Sequence, residues 1–449
     1  MKKNDYFEAT CIDMTHDGKG VIKYKDFTYF VNHMLPGEMG KVKVIKILKS
    51  YGIVRLIELI KVSPNRNDPK CSIFKQCGGC HLQHLTLQGQ QEYKTKRVKD
   101  TLARIGHCDV FVQDCIMMED PWYYRNKVQM PIGYNGNQMV VGFYKQRTNE
   151  IIPCQECYIQ NKESNAIIQD ITGLCQKYHI SPYDKETGKG NLRHVLTKFG
   201  SHTNDIMVVF ITNERVLPHI EEIIHFLTKK YPNIKTIMQN INQRQDNVIL
   251  GKEIQVLYGP GYIQDTLLGN TFKISLHSFY QINPMQTEKL YTTAIQLADI
   301  KKDDIVIDAY CGIGTIALSV AKHAQRVYGV EIVPQAIEDA KENATSNHIS
   351  NVHFSCIDAG EYMEQLAQEK KHIDVVFLDP PRKGCSTILL ASLVSLQPAK
   401  IMYISCDVAT QARDIAYLEE HGYKATICQP VDMFPHTHHV ENIVLLQRC

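Results

Sequence analysis

The sequence of 449 residues lacks any uninterrupted apolar run that approaches the roughly 18 residues of a membrane-spanning helix. Its first eight residues include two lysines and lead into no apolar stretch, so we expect no secretory signal. The chain also lacks a net charge of one sign, because 50 Lys and Arg oppose 48 Asp and Glu. We therefore expect neither a membrane protein nor a polycationic coat for nucleic acid. Local basic patches remain compatible with this balance.

The chain has fifteen cysteines, which in the absence of a secretory signal predict a protein of the reducing cytoplasm. There we expect thiols of the core, metal ligands or nucleophiles. Two sets are informative: Cys71, Cys77 and Cys80 with Cys154 and Cys157, and separately Cys406. The other nine, among them Cys108, Cys175 and Cys428, are interpreted as small buried hydrophobic residues.

Residues 1–62 are predicted to form a small β-barrel of OB type, because short runs of period-two alternation are separated by glycine-containing turns. The segment 1–65 carries eleven Lys and Arg against seven Asp and Glu, a surplus of +4 that exceeds that of the whole chain. Contact with nucleic acid is the favoured role of this barrel. The alternative is a barrel that serves solubility or docking.

Residues 63–270 are expected to form a second domain, with a linker that holds three cysteines, a long helix and a mixed α/β region. A helical pattern at 83–110 could pack on the C-terminal domain. Its basic cluster could face phosphates or be a solvated face, and consists of Lys94, Lys96, Arg97 and Lys99. A hairpin is predicted around Asn135–Asn137. Nearby aromatic residues alternate with basic ones that suit base stacking and phosphate contact, or an ordinary charged face: Arg125, Lys127, Lys145 and Arg147.

Residues 271–449 change to an alternation of apolar strands and helices, which predicts an α/β domain with a doubly wound, Rossmann-like parallel sheet. The strands are IVIDAY, RVYGVEIV, NVHFSCI, DVVFLDP, IMYISC, KATICQPVDMF and ENIVLLQR. The fold class is thus α/β, with an OB-like barrel before it and a mixed α/β domain between the two.

Acidic residues and glycines follow successive strands of this sheet, where such folds bind ligands. Asp308 ends the first strand, and Gly312 and Gly314 follow it at a strand-to-helix turn. Glu331 ends the second strand, where a carboxylate can accept two ribose hydroxyls. Asp358 and Asp379 follow the third and fourth strands, and Asp358 could reach an adenine amino group. NAD is a competitor, but Ala317 replaces the third glycine of its motif, so this order favours S-adenosylmethionine.

Cys406 follows the fifth strand, where a thiol faces the ligand crevice and can act as a nucleophile. A thiol, a methyl donor and a carboxylate together favour methylation of uracil at C5. Thiolate addition at C6 would make C5 nucleophilic, and a base would then remove the C5 proton. We assign these roles to Cys406 and Glu441. The nearby His436, His438 and His439 could bind a metal, but a polar active-site loop is favoured.

Four motifs together resemble the RNA (uracil-5-)-methyltransferases over essentially the whole chain. They are Ser-Phe-Tyr-Gln-Ile-Asn (278–283), Asp-Pro-Pro-Arg-Lys-Gly (379–384), Ser-Cys-Asp (405–407) and Phe-Pro-His-Thr-His-His-Val-Glu (434–441). The resemblance implies that Gln281, Tyr310, Glu331 and Asp379 bind the cofactor or shape its pocket. It also implies a TRAM domain, an RNA-binding barrel, at residues 1–62.

The set Cys71, Cys77 and Cys80 resembles the iron–sulfur ligands of the ribosomal branch of this family, and the resemblance adds Cys157 rather than Cys154 as the fourth ligand of a [4Fe–4S] cluster. Zinc suits the same spacing and stays an alternative. The resemblance further implies a monomeric enzyme that acts on 23S rRNA. The alternatives are a tRNA uridine as substrate, methylation of an amino group, or a non-catalytic iron–sulfur protein that binds RNA.

Overall fold

The computed structural model describes residues 1–136, 138–145 and 148–449. Its first five strands form a closed barrel in the order β1-β2-β3-β5-β4. They are β1 (Tyr6–Met14), β2 (Gly20–Tyr24), β3 (Phe27–Val31), β4 (Met39–Ile47) and β5 (Tyr51–Lys61). Alternate residues such as Phe7, Val31 and Val54 fill the interior. The predicted OB-like barrel is confirmed, whereas its identity as a TRAM domain stays a prediction.

A single long helix, α1 (Leu87–Ile105), follows the cysteine-containing linker. Thr86 caps it by accepting a hydrogen bond from the Gly89 backbone N–H at 3.2 Å. Its Val98 and Leu102 belong to the same buried cluster as Ala412 of the C-terminal region, so the helix packs there as expected. Lys94 does not fit either prediction for the basic cluster, because it is fully buried and paired with Asp432.

The central region is built on a seven-stranded sheet in the order β12-β11-β10-β9-β6-β7-β8. Its elements are β6 (Lys127–Asn135), β7 (Gln138–Tyr144), β8 (Ile151–Pro153), α2 (Lys162–Lys177), β9 (Leu192–Phe199), β10 (Ile206–Thr212), α3 (Ile220–Lys230), β11 (Ile234–Ile241) and β12 (Glu253–Tyr258). The predicted hairpin joins β6 to β7, with Asn135 opposite Gln138. Asn137 and Arg147 lie outside the described residues. Lys145 is paired with Glu150 at 3.0 Å.

The C-terminal region is a second seven-stranded sheet, in the order β17-β16-β15-β18-β19-β21-β20, with helices between its strands. Its elements, after a hairpin of β13 (Ile263–Leu267) and β14 (Asn270–Ile274), are α4 (Pro284–Ala298), β15 (Ile305–Asp308), α5 (Thr315–Ala321), β16 (Arg326–Glu331), α6 (Pro334–Ser346), β17 (Val352–Cys356), α7 (Ala359–Gln368), β18 (Val375–Leu378), α8 (Thr387–Leu396), β19 (Lys400–Ser405), α9 (Val408–Glu420), β20 (Tyr423–Val431) and β21 (Glu441–Arg448). The doubly wound α/β fold is confirmed. The sheet is not wholly parallel, because β21 runs antiparallel to both of its neighbours.

Seven of the nine cysteines interpreted as core residues are buried, including Cys108, Cys175 and Cys428. The interpretation is wrong for Cys356 and Cys449, which are exposed at a strand end and at the chain terminus. Among the described residues, no helix is both long and apolar enough to cross a membrane.

Candidate active site

The strands of the C-terminal sheet place the predicted site residues at one edge. Asp308 and Glu331 are the last residues of β15 and β16, and Asp379 and Cys406 come directly after β18 and β19. Because these four strands are parallel, their carboxyl ends meet at the same edge, where open α/β sheets bind ligands.

The antiparallel strand β21 brings Glu441 to the same edge. Ser405 of β19 pairs with Asn442 of the antiparallel strand β21. Cys406 directly follows Ser405 and Glu441 directly precedes Asn442, so the two residues lie side by side at the strand ends. The Gln411 side chain joins the two strands, donating to the backbone oxygens of Tyr403 at 2.9 Å and Asn442 at 3.2 Å. Asn442 donates back to Gln411 Oε1 at 2.7 Å. The arrangement of the two predicted catalytic residues is therefore held by strand pairing and by a buried amide pair.

The turn after β15 has a backbone suited to the close approach of a ligand. Gly312 and Gly314 have φ of +52° and +89°, and nothing would lie within 4 Å of a Cβ at Gly312. Asp308 is fully buried. Its Oδ2 accepts from the Ala317 N–H at 2.9 Å, whereas its Oδ1 has no hydrogen-bond partner among the residues that the structure describes. A polar ligand in this turn would donate the hydrogen bond that this buried carboxylate oxygen lacks.

Two further carboxylates of the crevice are oriented by backbone N–H groups. Glu331 accepts from Ile332 and Val333 at 2.8 and 2.9 Å, and from Gly312 at 3.3 Å. Asp358 caps helix α7 through a 2.8 Å bond from the Gly360 N–H. Asp358 thus has a structural role that the sequence reasoning did not include.

Gln281 and Tyr310 have different surroundings. Gln281 lines a cavity of about 240 Å³, together with Phe279 and Phe434. Its backbone oxygen accepts from Asn126 Nδ2 at 2.9 Å, which joins the central sheet to this segment. Tyr310 packs against the apolar cluster of the sheet.

Three carboxyl groups of the crevice, those of Asp308, Asp379 and Glu441, have raised pKa values. The pKa of Glu441 is raised to about 8, mainly by burial and also by the neighbouring Asp379, while Arg382 opposes the shift. Burial likewise raises the pKa of Asp379 and of Asp308 to about 7 each. The crevice therefore concentrates acidic groups that a positively charged ligand would help to ionise.

Burial also raises the pKa of the Cys406 thiol to about 11, with Glu441 and Asp379 adding to the shift. The positive charge of Arg382 opposes this shift and lowers the pKa. The sequence reasoning did not single out Arg382. The signal was its place directly after Asp379-Pro-Pro, because a residue there leaves the same sheet edge as Cys406.

The segment before β21 is a buried loop of neutral histidines. His436 stacks on Trp122 with ring centres 4.0 Å apart. Burial lowers the pKa of His436 and His438 to about 3 and that of His439 to about 4. Within the part of the chain that the structure describes, no group of three or more His, Cys, Asp and Glu could hold a metal ion.

The structure brings the predicted cysteine ligands to one cavity of about 360 Å³, away from Cys406. Its lining includes Cys71, Cys77, Cys80, Cys154 and Cys157. These five therefore share a site, although across the described ranges they do not form a ligand group for a single ion. An iron–sulfur cluster here stays a prediction.

Comparison with known proteins identifies the family of the chain. The sequence model of the family "tRNA (Uracil-5-)-methyltransferase" matches residues 88–449. An uncharacterized RNA methyltransferase of Bacillus cereus is 46% identical over 100% of this chain and 98% of its own length, and one of Halalkalibacterium halodurans is 45% identical over the same shares.

A solved structure also resembles the whole chain. It is the Pyrococcus abyssi tRNA (uracil-54, C5)-methyltransferase in complex with S-adenosyl-L-homocysteine, with 26% identity and a TM-score of 0.78 over 98% of this chain and 100% of that one. Together with the match of the family model, this likeness shows that the chain belongs to the tRNA (uracil-5-)-methyltransferase family and is an S-adenosylmethionine-dependent RNA (uracil-5-)-methyltransferase.

Proposed function

We propose that this enzyme methylates C5 of uridine in 23S rRNA, forming 5-methyluridine through a covalent bond between Cys406 and C6 of the base. The pairing of Ser405 with Asn442 is the observation that carries the proposal. It supports a thiol and a carboxylate that reach one uracil ring together. A thiol nucleophile has no role in the alternative, methylation of an amino group.

S-adenosylmethionine would be held in the turn after β15 and supplies a methyl group on a positively charged sulfur. We assign the ribose hydroxyls to Glu331 and the adenine to Asp358. The carboxylates Asp308 and Asp379 would face its positive charges, and Gly312 and Gly314 leave room for its backbone contacts. Gln281 and Tyr310 would shape the pocket. The unpartnered Oδ1 of Asp308 supports this assignment.

The first step needs the thiolate of Cys406, which bonds to C6 while the electrons of the C5–C6 double bond move onto the C4 carbonyl oxygen. The raised pKa of the buried thiol means that a positive charge must favour its ionisation. Arg382, whose charge lowers the pKa of the thiol, is suited to this role. The target base must leave its stack to reach the buried pair.

The second step needs the carboxylate form of Glu441. After C5 has taken the methyl group, Glu441 accepts the C5 proton, the C5–C6 double bond forms again, and the bond from C6 to sulfur breaks. The Cys406 thiolate is released. A pKa of about 8 gives Glu441 a proton affinity that suits a general base near neutral pH.

A covalent trap tests this mechanism. Target RNA with 5-fluorouridine has no C5 proton for Glu441 to remove, so an adduct that survives denaturing electrophoresis should accumulate. Cys406→Ala should abolish the adduct while S-adenosylmethionine affinity changes by less than about twofold. Glu441→Gln should trap an adduct even on ordinary uridine. Methylation of uridine RNA without any adduct on 5-fluorouridine RNA would exclude the cysteine mechanism.

The choice of 23S rRNA rests on the resemblance to the ribosomal branch of the family. The Pyrococcus abyssi tRNA (uracil-54, C5)-methyltransferase aligns over 98% of this chain, so likeness over the N-terminal part does not separate enzymes of rRNA from enzymes of tRNA. A tRNA uridine is therefore the second candidate. Mass-spectrometric mapping of 5-methyluridine in rRNA and in tRNA, with and without this protein, decides between them.

We also propose a [4Fe–4S] cluster bound by Cys71, Cys77, Cys80 and Cys157. Each thiolate of such a cluster binds a different iron, so the sulfurs stand further apart than around one zinc ion. Five cysteines around one cavity support a metal group with cysteine ligands there, and the resemblance to the ribosomal branch is the reason to propose the cluster over zinc.

Iron content after anaerobic purification tests the cluster and its fourth ligand. We expect about four irons per chain, lost in Cys77→Ser and in Cys157→Ser. Cys154→Ser is the matched control and should keep its iron, because Cys154 is the fifth cysteine of the same cavity. A colourless, zinc-containing anaerobic preparation would contradict the cluster, and loss of iron in Cys154→Ser alone would exchange the two assignments.

A further inference from the structure

Helix α1 directs three polar side chains toward the segment 432–440, which we call the base loop because Glu441 follows it. The three are Gln90, Lys94 and Arg97, at spacings of four and three residues. Residues at these spacings lie on one face of a helix. This face therefore points into the C-terminal region and not into solvent.

The three side chains contact the base loop along its length. Lys94 Nζ pairs with the Asp432 carboxylate and donates to the Phe434 backbone oxygen at 3.2 Å. Gln90 Oε1 accepts from the His436 N–H at 3.0 Å. Arg97 donates to the His438 backbone oxygen. Every second residue from Asp432 to His438 is thus bonded to α1.

Other residues hold the opposite side of the loop by neutral hydrogen bonds. Asn283 and Gln286 of the α4 N-terminus donate to the backbone oxygens of Met433 at 3.1 Å and of Asp432 at 3.0 Å. Helix α1 is distinguished from these by a full charge pair, and neither Lys94 nor Asp432 has any exposed side-chain surface. The charge pair is thus the feature of the loop that needs an explanation.

A contribution to the stability of the folded protein does not by itself explain why this ion pair is buried. Removing two charges from water costs more than most pairs return, and apolar residues of the same volume are often at least as stabilising. An ion pair differs from apolar packing in that it is satisfied by one narrow geometry. A fixed geometry matters at this loop because its last residue leads directly into Glu441.

We propose that Gln90, Lys94 and Arg97 are positioning residues that hold the base loop so that Glu441 faces C5 of the bound uracil. The role rests on the proposed function above. None of the three contacts the cofactor turn in the described structure, so their loss should slow removal of the C5 proton. It should have little effect on S-adenosylmethionine binding or on thiol addition.

The test compares Lys94→Met with the wild type and with Arg104→Met, a control on the same helix whose side chain is 78% exposed. Each protein is mixed with S-adenosylmethionine and ordinary uridine RNA, and both turnover and the denaturation-resistant adduct are followed. For Lys94→Met we expect kcat to fall about tenfold, adduct to accumulate, KM for RNA to fall together with kcat, and cofactor affinity to stay within about twofold. Arg104→Met should match the wild type.

Arg97→Met, which removes one hydrogen bond from a half-buried side chain, keeps the test decisive if Lys94→Met does not fold. It should show the same accumulation to a smaller degree. Release of the adduct at the wild-type rate in the folded variants would overturn the inference. A fall in turnover that accompanies weaker cofactor binding, without accumulation of adduct, would also overturn it. A wild-type enzyme that forms no adduct on 5-fluorouridine RNA would instead overturn the proposed function.

Discussion

Three carboxyl side chains at the edge of the C-terminal sheet hold protons more tightly in the folded protein than in the unfolded chain. Burial raises the pKa of Asp308 and Asp379 from 3.8 to about 7, and that of Glu441 from 4.5 to about 8. A folded state that binds more protons loses stability as the pH rises between the two pKa values. The site is thus less stable at the pH at which Glu441 becomes a base.

We therefore expect the free energy of unfolding of the cofactor-free protein to fall between about pH 5 and pH 8. Glu441→Gln should reduce this fall by about 3 kcal/mol, because the amide has no proton to lose. Urea unfolding at several pH values measures the effect, with the exposed Glu186→Gln as control. An unchanged pH dependence in Glu441→Gln would show that its carboxyl group is not held neutral.

At the scale of elements, the turn between β18 and α8 places Arg382 beside Cys406. Gly384 in this turn has φ of +76°, and a Cβ there would lie 2.6 Å from Asp414 Oδ2 and 2.7 Å from an Arg413 nitrogen. The fully buried Asp414 accepts from the Cys385 N–H at 2.8 Å and from the Tyr403 hydroxyl at 2.7 Å. The Asp414 carboxylate of α9 therefore joins the turn to β19, and its hydrogen bonds hold it in the space that a Cβ at Gly384 would enter.

Gly384→Ala should destabilise the protein by about 3 kcal/mol or more, from backbone strain and from displacement of the Asp414 carboxylate. Gly422→Ala is the matched control, because Gly422 has φ of +92° but open space around its Cβ position. Strain alone should cost about 1 kcal/mol there. Equal losses in thermal or urea unfolding would contradict the crowding at Asp414.

At the scale of the whole molecule, the barrel lies outside the part matched by the family model but contacts the rest of the chain. Glu38, fully buried, accepts from Arg66 of the linker at 2.5 and 2.7 Å. Tyr93 of α1 donates to the Thr15 backbone oxygen at 2.9 Å. The barrel is thus attached to α1 and to the linker.

Deletion of residues 1–62, the barrel boundary we propose, should weaken RNA binding by about tenfold or more and flatten its salt dependence, because the basic surplus is lost. S-adenosylmethionine affinity should stay within about twofold of the full-length chain. Fluorescence anisotropy with RNA and calorimetry with the cofactor measure the two affinities. Equal loss of both would show that the proposed boundary is wrong.

The sequence by itself determined the α/β class, the succession of strands and helices along the chain, and the residue types at the strand ends. It could do so because the spacing of apolar residues and the glycines of turns are local properties of the chain. In addition, the carboxyl ends of parallel strands meet at one edge of a sheet. Asp308, Glu331, Asp379 and Cys406 were therefore predictable as neighbours. Glu441 was assigned by chemistry and resemblance, without a reason in the pattern for its place.

Only the tertiary structure decided which distant segments meet. The apolar run of β21 does not predict the direction of the strand. Its antiparallel direction nevertheless brings Glu441 beside Cys406. The basic pattern of α1 predicted an outward face, whereas Lys94 is buried against Asp432, 338 residues later in the chain. Long-range pairing of this kind depends on how layers pack, and periodicity within one segment carries no information about its partner.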